Sequence, residues 1–250
     1  AQSGQDPLLS RILITLTLLA SCASQAFTGS EACESCHATE FSNWQGSHHD
    51  LAMQLPTAST GLWDFDDASF RYNGFTTRFT RRGDKFIVNT VGENGESQDF
   101  VVAYVFGVYP LQQYLLPLSR GRLQALSIAW DSRQEAEGGQ RWYHLYPEEK
   151  IDYRDPLHWT GPYQNWNTRC AECHSTDLQK NYRAADRSFA TTFEEINVGC
   201  EACHGPGEKH LELAAANALD SAVNGGFPTA LAQRGEWAFP EETDIARRRE

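Results

Sequence analysis

The chain has 250 residues and a mass of 28.1 kDa, room for one large domain or two small ones, and its 40% hydrophobic and 22% charged residues exclude disorder and a membrane bundle. Acidic residues outnumber basic ones by 33 to 21, giving a net charge of −12 with no basic run to neutralise phosphates, so nucleic acid is excluded as a partner. Seven cysteines are too few for a disulfide scaffold, yet six of them fall into three pairs of one spacing.

The first element is an apolar run from Ile12 to Ala20, preceded by Arg11 and followed by small residues, which is the layout of a secretory signal over residues 1–26. The run is well short of the roughly 20 apolar residues that cross a bilayer as a helix. Two processing routes remain open, beside an uncleaved anchor. Ser24 and Ala26 satisfy the small-x-small rule for cleavage after Ala26, whereas Leu19-Ala20-Ser21-Cys22 resembles a lipoprotein box in which Cys22 takes a lipid and tethers the chain to a membrane. Either route delivers a domain over residues 27–250 to the periplasm, free or lipid-anchored.

Cys33-Glu-Ser-Cys36-His37 comes next and has the CxxCH form of a c-type haem attachment site. Two thiols one helical turn apart can add to the two vinyl groups of one porphyrin, and the adjacent imidazole can meet the iron. His48 and His49 follow Trp44-Gln45-Gly46-Ser47. Adjacent helical residues point about 100° apart, so at most one of them is an iron ligand.

The long interval before the next motif predicts β structure. Thr76 to Thr80, Lys85 to Val91, Asp99 to Gly107 and Leu123 to Trp130 are rich in β-branched and aromatic residues, and Arg82-Gly83-Asp84, Gly92 to Gly95 and Ser119-Arg120-Gly121 supply turns between them. With a fifth strand at Arg141 to Tyr146 this is an antiparallel meander, an insertion over about residues 70–146. His144 lies within that strand and reads as a hydrogen-bonded core histidine. His158, on a loop leading to the second motif, remains open as a ligand.

Cys170-Ala-Glu-Cys173-His174 and Cys200-Glu-Ala-Cys203-His204 repeat the first motif. The Gly205-Pro206-Gly207 break after the third motif turns the chain away, so His210 is better placed to cap a neighbouring haem than its own. Leu211 to Leu219 predicts a helix, and the motif segments read as short helices. The expected class is therefore α+β, with haem-bearing helices packed on a β insertion.

Zinc ribbons and thioredoxin-like sites also use CxxC, but the following histidine separates the readings. Histidine is 8 of 250 residues, so its chance occurrence after all three pairs is roughly 3 × 10⁻⁵. A zinc ribbon would also leave the third pair without a partner, and disulfides between motifs do not explain the histidines. Three covalently attached haems, with His37, His174 and His204 as proximal iron ligands, are expected. Five histidines and Met53 remain for the three sixth positions. Imidazole there gives a lower potential than thioether sulfur.

Trp44-x-x-Ser47-x-His49 after the first motif, and Asn197-Val198-Gly199-Cys200 running on through Cys203-His204-Gly205-Pro206-Gly207 to His210, resemble the multihaem cytochrome c domain related to the tetrahaem carrier that takes electrons from hydroxylamine oxidoreductase. The sequence is similar to the bacterial subgroup in which this domain precedes tetratricopeptide repeats, over most of residues 29–210. The resemblance implies that His49 and His210 are distal ligands, and it favours His49 over His48. A fourth CxxCH of the tetrahaem relatives does not occur through Glu250, where the sequence reads as the interior of a longer chain.

The expected function is an exported multihaem carrier that exchanges electrons with redox partner proteins through mainly bis-histidine haems. The alternative is a multihaem oxidoreductase acting on a small nitrogen or sulfur compound at one haem with an open position.

Overall fold

A computed structural model describes residues 26–61 and 63–227. The apolar run, Cys22 and Ser24 lie outside the described residues, as does the chain beyond residue 227. The class is α+β, as expected from the sequence.

After the first motif come α1 (Ala38–Trp44) and the short strand β1 (Met53–Gln54). A four-stranded antiparallel meander follows, of β2 (Asp66–Tyr72), β3 (Phe75–Arg82), β4 (Lys85–Val91) and β5 (Ser97–Val101), in that order. Asn73 and Gly74, at φ 46° and 83°, make the two-residue turn joining β2 to β3, a conformation that asparagine and glycine tolerate best. A second sheet contains β6 (Tyr104–Phe106), β7 (Leu111–Leu118), β8 (Arg122–Ala125), β9 (Ile128–Asp131) and β10 (Arg141–His144). Its strand order is β1-β6-β7-β9-β10, with β8 also on β7.

Two expected strands are each two strands in the structure. Asp99 to Gly107 breaks at Val102 and Ala103, where the chain leaves the first sheet for the second. Leu123 to Trp130 breaks at Leu126 and Ser127, so that β8 follows one end of β7 and β9 the other. A strand that changes sheets at a corner lets both sheets close over one core.

That core is aromatic. Phe79, Phe86, Phe100, Tyr114, Trp130 and Trp142 come from both sheets and are buried together. Phe79 lies flat on Trp142 with ring centres 3.5 Å apart. Strand β7 has a foot in each of two cores: Tyr114 and Leu116 enter this cluster, and Leu115 between them faces a second one. Opposite faces of one strand thus join the insertion to the motifs, since side chains alternate along a strand. The second cluster holds Met53, Phe106 and Ala125 with Trp166 and Ala171, the last two from α2 (Trp166–Arg169) and α3 (Ala171–His174).

The hairpin β11 (Tyr182–Arg183) and β12 (Ser188–Phe189) leads to α4 (Cys200–His204) and α5 (Glu208–Ala215). The helix expected at Leu211 to Leu219 thus begins earlier and stops at Ala215, followed by a 3-10 turn at Leu219–Ser221. Among the described residues no helix is long and apolar enough to cross a membrane.

Candidate functional site

Each CxxCH segment occupies about one helical turn, which brings its two sulfurs to one side. The His37 N–H donates to the Cys33 carbonyl at 2.9 Å, and the second and third motifs run into or through α3 and α4. In every pair the first cysteine is half-buried and the second exposed, and no disulfide joins any of the six.

Residues 195–201 hold the three motifs together. The buried Ser30 side chain donates to a Glu195 carboxylate oxygen at 2.9 Å and accepts the Cys200 N–H at 2.8 Å, tying the entrance of the first motif to the third. Thr176, just after the second motif, accepts the Gly199 N–H at 2.9 Å. The His49 carbonyl accepts the Val198 N–H at 3.2 Å, and the Trp44 indole donates to the Val198 carbonyl at 2.9 Å. Glu201, 3% exposed, gathers the N–H groups of Thr28, Gly29 and Gly207 and the Thr28 hydroxyl on its two oxygens. Burial, and next the adjacent Cys200, push the Cys33 thiol up to about 11, so the first cysteines of the first and third motifs lie against each other. Burial also raises the Cys170 thiol.

The residues present fit haem. The His37 and His210 ring centres are 6.1 Å apart. Two imidazoles bonded to one metal from opposite sides, each at about 2 Å, have their centres about 6.3 Å apart. His210 Nδ1 donates to the Gly225 carbonyl at 2.9 Å, which leaves Nε2 for a metal. His174 Nδ1 has the same kind of partner, the Ala52 carbonyl at 3.3 Å. Trp166, fully buried in the cluster that Cys170 packs against, has an indole N–H with no partner among the described residues. Such an orphan donor suits the polar edge of a bound group.

His210 accordingly meets the first motif, although it follows the third in sequence. His48 and His49 are both exposed, and His49 lies between the second and third motifs through its own carbonyl and that of Ala52. Met53 is 1% exposed and packs in the second cluster. His144 is a core histidine, stacked on Tyr72 at 3.6 Å. His158 is not brought to a motif by any described contact; its ring meets Trp159 and Thr160 and shares a cavity with His144. Among the described residues no cluster of three or more histidine, cysteine or acidic side chains is arranged to hold a bare metal ion. The sequence analysis missed Glu195 and Glu201, whose partners Ser30 and Gly29 are more than 160 residues away along the chain.

Residues 32–62 and 130–205 match the family described as cytochrome c554 and c-prime. The two stretches contain all three motifs and leave out β2 to β8. No curated protein matches the chain. Among solved structures the chain is similar to the outer cell wall cytochrome OcwA, with 20% identity and a TM-score of 0.43 over 76% of this chain. It spans about a third of that protein, 34% of its length.

Proposed function

We propose that this c-type cytochrome, recognised as such by its motifs and by the family match, is an exported electron carrier whose three covalent haems are mainly bis-histidine ligated. The observation that carries the reading is the 6.1 Å separation of His37 and His210, which suits two imidazoles on one iron. Haem bound at the motifs supplies a one-electron iron couple. The chain supplies everything that positions it and tunes it.

Cys33 and Cys36, Cys170 and Cys173, and Cys200 and Cys203 would hold the haems through thioether bonds. His37, His174 and His204 are the proximal ligands. The Gly225 carbonyl fixes the His210 tautomer with Nε2 available, and the Ala52 carbonyl does so for His174. Such contacts also raise ligand basicity, and two imidazoles on one iron favour low potential. His49, whose carbonyl meets Val198 just before the third motif, would supply a second imidazole to one of the other irons.

Export rests on the apolar run at Ile12 to Ala20, with Cys22 as the site of a lipid in one processing route. The partners are redox proteins, of the kind that the tetrahaem carrier serves in hydroxylamine oxidation. Three haems add six propionates to a chain of charge −12, so a partner surface should be basic at the contact.

Protein made with the cytochrome c maturation machinery tests this reading in one redox titration of a sample weighed intact. The expected result is a mass of chain plus three haems and an uptake of three electrons, all at potentials below those of histidine-methionine cytochromes. Fewer than three haems, or a high-potential wave, would contradict it.

A further inference from the structure

His210 comes after the third motif in the chain and yet faces His37 of the first, so its ring has to be aimed. The outer torsion of a histidine side chain is broad, and the backbone alone leaves the imidazole free to turn. The Nδ1 bond to the Gly225 carbonyl at 2.9 Å fixes one edge of the ring. A single hydrogen bond at that edge still lets the plane pivot about it.

A flat surface for the ring is supplied two residues further on. The Phe227 ring is stacked on His210, with centres 4.8 Å and planes 24° apart. Its contact with His204 is looser, at 6.2 Å and 48°. The backbone is shaped to deliver the carbonyl and the ring together: Asn224, Gly225 and Gly226 stand in succession at φ 56°, 61° and 94°. Left-handed residues in a row are costly, and asparagine and glycine tolerate them best. The turn also lies close on α5, where a Cβ at Gly226 would stand 2.7 Å from Leu213 Cδ1 and 3.2 Å from the His210 backbone nitrogen. All of this lies beyond residue 205, where the stretches matched by the family end.

We propose that Phe227 is the positioning residue for the distal ligand of the first haem, its ring holding the His210 imidazole in a plane close to that of His37. The proposal rests on the bis-histidine reading of this pair and adds what sets the angle between the two rings, which is 33°. An imidazole donates π density perpendicular to its own plane. Near-parallel rings therefore load one iron d orbital and split it from its partner, whereas perpendicular rings load two orbitals equally. The ferric low-spin resonance is rhombic in the first case and reduced to a single feature at large g in the second. A ring whose plane is held also keeps the same place in both oxidation states, as an electron carrier requires.

Electron paramagnetic resonance of the fully oxidised, haem-loaded protein reads the angle. The wild type is expected to give a rhombic low-spin signal from the first haem, identified as the signal missing when Cys33 and Cys36 are changed to Ala. Phe227→Leu keeps apolar bulk for folding and removes the flat face. It is expected to move most of that signal, one haem in three, into a broadened or large-g feature while the haem stays low-spin. Phe227→Tyr restores the face and is expected to restore the rhombic signal. An unchanged rhombic signal in Phe227→Leu would show that Phe227 only packs, and would overturn the proposal while leaving bis-histidine ligation intact; a large-g first haem in the wild type would do the same. A high-spin first haem in the wild type would contradict the bis-histidine reading and the proposal together.

Discussion

His210→Ala is expected to turn one haem of three from low-spin to high-spin and to make that haem bind carbon monoxide when reduced. The remaining two should keep their spectra, because the His210 ring faces His37 of the first motif. The affected haem should be the one on Cys33 and Cys36, which a second change of Cys33 and Cys36 to Ala identifies by abolishing the high-spin signal. Its potential should rise on loss of the second imidazole. Folding should change little, since the variant gives up one part-buried hydrogen bond to the Gly225 carbonyl and the stack on Phe227. An unchanged ferric spectrum would make His210 a bystander.

Glu201→Ala should be the most destabilising single change outside the cysteines and histidines of the motifs. Three backbone N–H groups and one hydroxyl converge on this buried carboxylate, and truncation strands them where little water reaches. Orphaned buried donors cost about 1–3 kcal/mol each before relaxation, so a loss of roughly 3–5 kcal/mol in denaturant unfolding of the haem-loaded protein is expected. The effect should also reach the iron. Gly207 precedes α5, which carries His210, so freeing its N–H loosens the His37–His210 pair and should give a partial high-spin signal. A loss below about 1 kcal/mol would mean that the clasp is replaced by water or by neighbouring groups.

Legibility in the sequence followed how local each piece of physics is. A haem attachment site is five consecutive residues, so all three could be read directly, as could β4, a run of β-branched residues ending at Gly92. Strand β7 escaped because both of its faces are buried, which removes the alternation, and because Pro117 argued against a strand. Strand β2 escaped because, at the edge of its sheet, it is largely exposed and polar. Its hairpin nevertheless carried a usable sign, Asn73-Gly74 between Tyr72 and Phe75. The breaks at Val102 and Ser127 had no local sign, since they depend on where the other sheet lies. Glu195 before the third motif and Glu201 within it looked like ordinary surface charge; only the folded chain brings Thr28, Gly29 and Ser30 to them.

The same distinction explains the histidines. Gly205-Pro206-Gly207 gave a local reason for His210 to leave its own motif, and the structure sets it against His37. Nothing near His158 in sequence distinguished an iron ligand from a group facing the His144 cavity.

Electron paramagnetic resonance of the fully oxidised, haem-loaded protein, with carbon monoxide added to the reduced form, tests the carrier reading most directly because both methods report an open sixth position. The account predicts low-spin signals only and no spectral change with carbon monoxide. A high-spin signal near one haem in three that also binds carbon monoxide would contradict it, and would place substrate chemistry at that iron.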